Sequence, residues 1–228
     1  MPKNANFLLR RILGLALIIL AAAWFARLTS GIDFARLELV AAERYGQQTA
    51  QAVREWRAAL ERAGPTETDK LNAVNVFFNR RILFLDDQTV WGKSDYWATP
   101  LEVLWKGAGD CEDFAIAKYF SLKAIGISPD KLRLTYVKVR IGGPYSNMFQ
   151  AHMVLVYYAT PTAEPLILDN LITEIRPASR RPDLVPIFSF NSEGLWVAGS
   201  GPEPVASSTS RLSRWRDLLT RMQNDGYE

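Results

Sequence analysis

Apolar residues in the first half of the chain recur three and four positions apart. In the second half they recur every second position. Leu37, Val40, Ala41 and Tyr45, then Ala52, Val53, Trp56 and Leu60, predict one helix over Phe34–Ala63, stopped by Gly64-Pro65. Leu71, Val74, Val76, Phe77 and Phe78 predict a second over Glu67–Arg80. Leu85 to Trp97 is aromatic and without period, and reads as a loop. Thr99, Pro100 and Glu102 supply an N-cap, a first helical residue and the partner of a capping box. A further helix occupies Ala115–Ile125 and ends at Gly126. Beyond it Leu132–Val139 alternates as a half-buried strand should. Ala151–Tyr158, Leu166–Leu168 and Leu195–Val197 follow as strands, and Arg211–Met222 as a closing helix. Gly199–Ser210 is rich in Gly, Pro and Ser and reads as a flexible connection. Helices first and an antiparallel sheet second predict an α+β fold.

The N-terminus follows different rules. Lys3, Arg10 and Arg11 precede an uncharged apolar run from Ile12 to Ala26. That is the layout of a signal peptide or an uncleaved signal anchor. The run is shorter than the roughly 20 residues of a comfortable membrane span. Residues 1–30 are therefore assigned to export, and 31–228 to a single folded domain outside the cytoplasm. The 228 residues are 48% hydrophobic and 22% charged, which suits a globular chain. The net charge of +3 is scattered, so composition points away from nucleic acid as a partner.

Cysteine and histidine counts narrow the chemistry. The chain has one Cys and one His, so it forms no intrachain disulfide and no zinc site with two His ligands. Cys111 follows Lys106-Gly107-Ala108-Gly109-Asp110 and opens a helix. Backbone N–H groups and the helix dipole there favour a thiolate and an oxyanion. His152 stands near the start of one predicted strand and Asp169 at the end of the next. Nucleophile, base and orienting acid can converge where such a helix packs on such a sheet. Each residue also has a plainer reading: a buried Cys, a structural His and an Asp-Asn turn.

Three short stretches bear a resemblance. They are Gly109-Asp110-Cys111-Glu112-Asp113-Phe114-Ala115 within Trp105–Tyr119, Ala151-His152-Met153-Val154-Leu155, and Leu168-Asp169-Asn170. Together with Pro186–Trp196, they resemble the bacterial transglutaminase-like cysteine proteases, in particular the periplasmic branch that releases large surface adhesins. The likeness spans roughly residues 66–197. It implies a papain-like, transglutaminase-like core with Cys111, His152 and Asp169 as the triad. It implies an adhesin's N-terminal retention region as substrate, cut at paired alanines. It also implies an inner-membrane cyclic di-GMP receptor as regulator.

The flanking acids need their own explanation. Asp110, Glu112 and Asp113 surround the thiol and oppose its ionisation. A Ca²⁺ ion, which takes hard oxygen ligands, would offset them. The resemblance implies calcium dependence and matches Asp110 and Glu112 to ligand positions. Asp113 could assist, and Asp130 could close the site from the next turn. Alternatively, acids in a first turn simply complement the helix dipole. Trp91, Trp97 and Trp105 are candidate oxyanion donors or groove walls. Two other functions fit the same residues: a cross-linking transglutaminase with an amine acceptor, and a binding module without catalysis.

Overall fold

The computed structural model describes residues 31–199, 201, 203–206 and 212–227, so the predicted export segment lies outside the described residues. The predicted first helix is two helices, α1 (Phe34–Tyr45) and α2 (Gln47–Glu61). Gly46 divides them with φ 90° and ψ 172°, a conformation that costs glycine nothing and that a side chain resists. α1 starts on the Asp33 carboxylate, which accepts from Arg36 N at 3.0 Å. α2 drives Trp56 into the core, where its indole N–H donates to Ser121 Oγ at 2.9 Å. α3 (Glu67–Arg81) opens with a capping box between Thr66 and Asp69.

The aromatic loop holds more order than its sequence suggests. β1 (Leu83–Phe84) precedes it and α4 (Asp87–Trp91) lies within it. α5 (Pro100–Lys106) has the expected capping box from Thr99 to Glu102. β2 (Ala108–Gly109) pairs in parallel with β1 and leads directly into α6 (Cys111–Ala124).

The main sheet contains β3 (Leu132–Ile141), β4 (Met148–Tyr157), β5 (Leu166–Leu168), β6 (Arg176–Pro177), β7 (Leu184–Phe190) and β8 (Leu195–Val197). Its order is β6-β5-β4-β3-β7-β8 and every pairing is antiparallel. Sequence patterning missed β7, because Pro186 lies inside it and proline cannot donate to a ladder. The β3–β7 register shifts at Tyr136/Val137, directly opposite Met153 and His152 of β4. Such bulges sharpen local twist and re-aim side chains.

β4 is apolar on both faces. Met153, Leu155 and Tyr157 join the main core under the helices. Val154 and Val156 join Val137 and Ile167 in a second cluster on the other face. α7 (Ser213–Asp225) closes the main core with Trp215, Leu218 and Met222, and the Trp215 ring meets Phe190 edge-on at 5.4 Å. The two ends of the described domain meet. Ile32 bridges to Tyr227, Asp33 N–H donates to Gly226 O at 3.1 Å, and Arg44 pairs with Asp225 at 2.6 Å. Among the described residues no helix is long and apolar enough to cross a membrane.

Candidate active site

Cys111 is the first residue of α6. The tight approach before it depends on Gly109. A Cβ at that position would lie 2.5 Å from Asp113 Oδ2 and 2.9 Å from Asp113 Cβ. Asp113 is fully buried and cannot yield, since its Oδ1 accepts from Ala98 N at 2.8 Å and its Oδ2 from Asp110 N at 3.3 Å. Gly109→Ala is therefore expected to cost about 1–3 kcal/mol, read as a lower urea midpoint.

The sequence-predicted residues distribute as follows. His152 and Asp169 form a buried pair, with the ring N–H at Nε2 donating to Asp169 Oδ1 at 2.8 Å. Leu171 N donates to the same oxygen at 3.0 Å, and Asn79 Nδ2 holds the Asp169 backbone carbonyl at 2.7 Å. Arg181 pairs with Asp169 Oδ2 at 2.8 Å. Burial alone would raise the Asp169 pKa, but the His152 hydrogen bond and charge, the Leu171 N–H and Arg181 hold it at about 2. Sequence reasoning missed Arg181, which sits among several arginines with nothing to mark it.

The Cys111 sulfur lies against β4, where the Met153 backbone N–H points at it. Met153 follows His152 directly, so the sulfur sits beside the strand segment that carries the imidazole. Its described side-chain hydrogen bond runs elsewhere, from the thiol to Glu112 Oε2 at 3.0 Å. Burial pushes the thiol pKa up, and the Glu112 carboxylate and then Asp110 push it further.

The acids gather more widely than the sequence indicated. Asp110, Cys111 and Glu112 can place ligand atoms within 4.8 Å of one another, as can Asp87, Asp110 and Asp113, and Asp87, Asp95 and Glu112. Asp87 and Asp95 come from the aromatic loop, far from the motif in sequence and without a metal-site spacing to flag them. Asp130 stands apart in the turn Pro129–Lys131, where it accepts from Ser128 Oγ, and it belongs to none of these groups. Burial, with the neighbouring carboxylates behind it, pushes Asp110 up to about 10. Burial also raises Asp113 well above the usual carboxylate range and Asp87 to about 6. Asp87 Oδ1 and Asp110 Oδ1 are buried without a hydrogen-bond partner.

These orphaned oxygens and mutually repelling carboxylates fit a hard divalent cation. The candidate tryptophans form packing walls: Trp97 stacks on Phe190 at 5.7 Å and Trp105 on Tyr45 at 4.4 Å.

The family model for the bacterial transglutaminase-like cysteine proteinases matches residues 42–198. A solved structure of Legionella pneumophila LapG is 38% identical with a TM-score of 0.70, covering 84% of this chain and 98% of that one. The EGTA-treated form of that protein gives 38% and 0.72 over the same shares of both chains. Its calcium-bound form gives 40% and 0.70, covering 84% of this chain and 99% of that one. No curated relative matches. The match over well over half of the chain, with structural likeness at this identity, shows that the chain belongs to the bacterial transglutaminase-like cysteine proteinases.

Proposed function

We propose that this chain is a calcium-dependent periplasmic endopeptidase that cuts the N-terminal retention region of a large surface adhesin. In this reading Cys111, His152 and Asp169 form its triad, and an inner-membrane cyclic di-GMP receptor regulates it. The observation that carries the catalytic reading is the buried His152–Asp169 pair on the strand segment against which the Cys111 sulfur rests. With the ring proton on Nε2 facing Asp169, Nδ1 is left basic and able to take the thiol proton.

The Cys111 thiolate then attacks the peptide carbonyl carbon. The oxyanion forms at the α6 N-terminus, where the Cys111 backbone N–H has no helical acceptor. His152 passes its proton to the leaving amine, and water, deprotonated by the same imidazole, hydrolyses the thioester. Asp169 stays ionised throughout and steadies the imidazolium, as its low pKa requires.

Asp110 and Glu112, with Asp87, Asp95 and Asp113, are the residues that would hold calcium. Bound there, the ion supplies positive charge beside the nucleophile. What this chain's residues must do is release the thiol from Glu112, whose carboxylate holds its proton. The adhesin, the periplasmic setting and the receptor rest on the resemblance of the motifs.

The test incubates the chain with a recombinant adhesin N-terminal fragment containing paired alanines, with calcium or with EGTA. The expected result is two fragments whose masses sum to the parent plus one water, and a rate at least about 100-fold lower in EGTA. Mass gain by an added amine would mean cross-linking. An uncut fragment in calcium would remove the adhesin reading, and unchanged cutting in EGTA would remove the calcium reading.

A further inference from the structure

β4 is longer than one of the two strands beside it. It pairs with β3 from Met148 to Tyr157, while β5 reaches only Leu155, Val156 and Tyr157. Among the described residues no strand lies against the rest of that edge, from Met148 to Val154. The ladder fixes which backbone groups the edge presents. Tyr158 N–H donates to Lys131 O at 2.8 Å, just before β3 begins. Since Tyr157 stands opposite Leu132, the even-numbered residues of β4 turn their N–H and C=O groups toward β3, and the odd-numbered ones turn away. Arg140 of β3 obeys the same parity, donating its N–H to Asp183 O at 2.8 Å on the β7 side. The N–H and C=O groups of Phe149, Ala151 and Met153 therefore point out at the open edge.

Two asparagines of α3 keep that edge open. A chain leaving β5 in extended form would run on along β4. Instead Asn79 Nδ2 donates to the Asp169 carbonyl at 2.7 Å and Asn75 Nδ2 to the Thr173 carbonyl at 2.8 Å. Leu171 N–H turns back onto Asp169 Oδ1 at 3.0 Å. These bonds draw residues 169–173 off the sheet. Exposed edges are usually blunted by charge, proline or a covering element. Met148, Phe149, Gln150 and Ala151 carry no charge and no proline, and all four are exposed. The open edge also runs to the nucleophile. α6 packs across β4, and the Cys111 sulfur lies against Met153, the next outward-facing residue after Ala151.

We propose that an extended stretch of the substrate docks as an added strand on the β4 edge at Phe149–Ala151, which carries its scissile carbonyl to Cys111. The inference deepens the protease reading and rests on it. The edge offers a donor and an acceptor at every second residue, about 7 Å apart. Another strand presents its own groups at that spacing, whereas a helix has spent them internally. Recognition at Phe149 and Ala151 thus runs through the main chain, with no ionised side chain on Met148–Ala151 to select a charge. The substrate class is an extended, unfolded segment of at least about four residues, and a folded helix or a compact domain is excluded from the edge.

The test follows backbone amide exchange in the Cys111→Ala chain, alone and with a recombinant adhesin N-terminal fragment containing paired alanines. Alone, Phe149 and Ala151 are expected to exchange freely, while Gln150 and His152, bonded to β3, are protected. The fragment is expected to slow Phe149 and Ala151 by at least about tenfold and to leave Gln150 and His152 unchanged. A second measurement uses chains that retain Cys111. Phe149→Pro removes an outward donor and no bond to β3, and Phe149→Ala keeps that donor. KM for the proline chain is expected to be at least about threefold above that of the alanine chain, with kcat within about twofold. Slow exchange at Ala151 in the free chain overturns the inference, because the edge is then already closed. Equal KM values in the two folded variants overturn it as well. Cutting of the fragment by the parent chain, with Phe149 and Ala151 unprotected in the complex, removes the inference alone. A fragment left uncut by the parent chain removes the protease reading, and this inference with it.

Discussion

Replacing Cys111 with alanine is expected to erase cleavage of the adhesin fragment, lowering the rate by at least about 10⁴-fold. The thiol is the only sulfur nucleophile in the chain. The remaining His152–Asp169 pair has no second group on α6 to activate. Stability should not fall with activity. The side chain is small, and its loss removes a thiol that burial and Glu112 hold in the protonated form. Urea unfolding and the His152 ring signals would then match the parent while product formation disappears. An alanine chain cutting at even a tenth of the parent rate would take the nucleophile away from Cys111.

Asp169→Asn is expected to cost about 10²- to 10⁴-fold in kcat/KM, because an amide cannot steady the imidazolium and favours the wrong tautomer. It should also remove a pH-dependent part of the stability. The Asp169 pKa falls from 3.8 to about 2 on folding. A depressed carboxylate stabilises the fold above its unfolded pKa, and that contribution is lost as pH falls through the folded value. The parent should therefore lose about 2 kcal/mol between roughly pH 4 and pH 2 from this group. The asparagine chain should lack that increment and show a flatter profile over the same window. Urea titrations at half-unit steps would read it. Equal slopes in both chains would mean that Asp169 is not held ionised by His152 and Arg181.

Much of the fold is legible in hydrophobic spacing, and the failures have local causes. Gly46 sits inside an unbroken 3.6-residue pattern, and only its positive φ reveals that the chain turns there. β7 hides behind Pro186. α4 is five residues long, too short for periodicity to register. Cys111, His152 and Asp169 stand out in the sequence as candidate nucleophile, base and acid because their elements are regular and each residue type is scarce or sits at an element end. Asp87 and Asp95 were not readable, since an acidic cluster assembled from a loop and a helix tip has no spacing in sequence. Asp130 fails for the converse reason. Proximity in chain to α6 suggested it, while the turn after the helix carries it away from the tip. Arg181 is an ordinary residue in sequence, and only its burial against Asp169 distinguishes it.

The meeting of Ile32 with Tyr227 carries a practical consequence for anyone shortening this protein. The two ends work as a clasp, each backbone holding the other and Arg44 latching onto Asp225 beside them. Trimming even the last few residues would strip the partner from Ile32 and uncover Trp56, whose ring lies 6.4 Å from that of Tyr227. Damage at the tail would then be felt at the head of the domain.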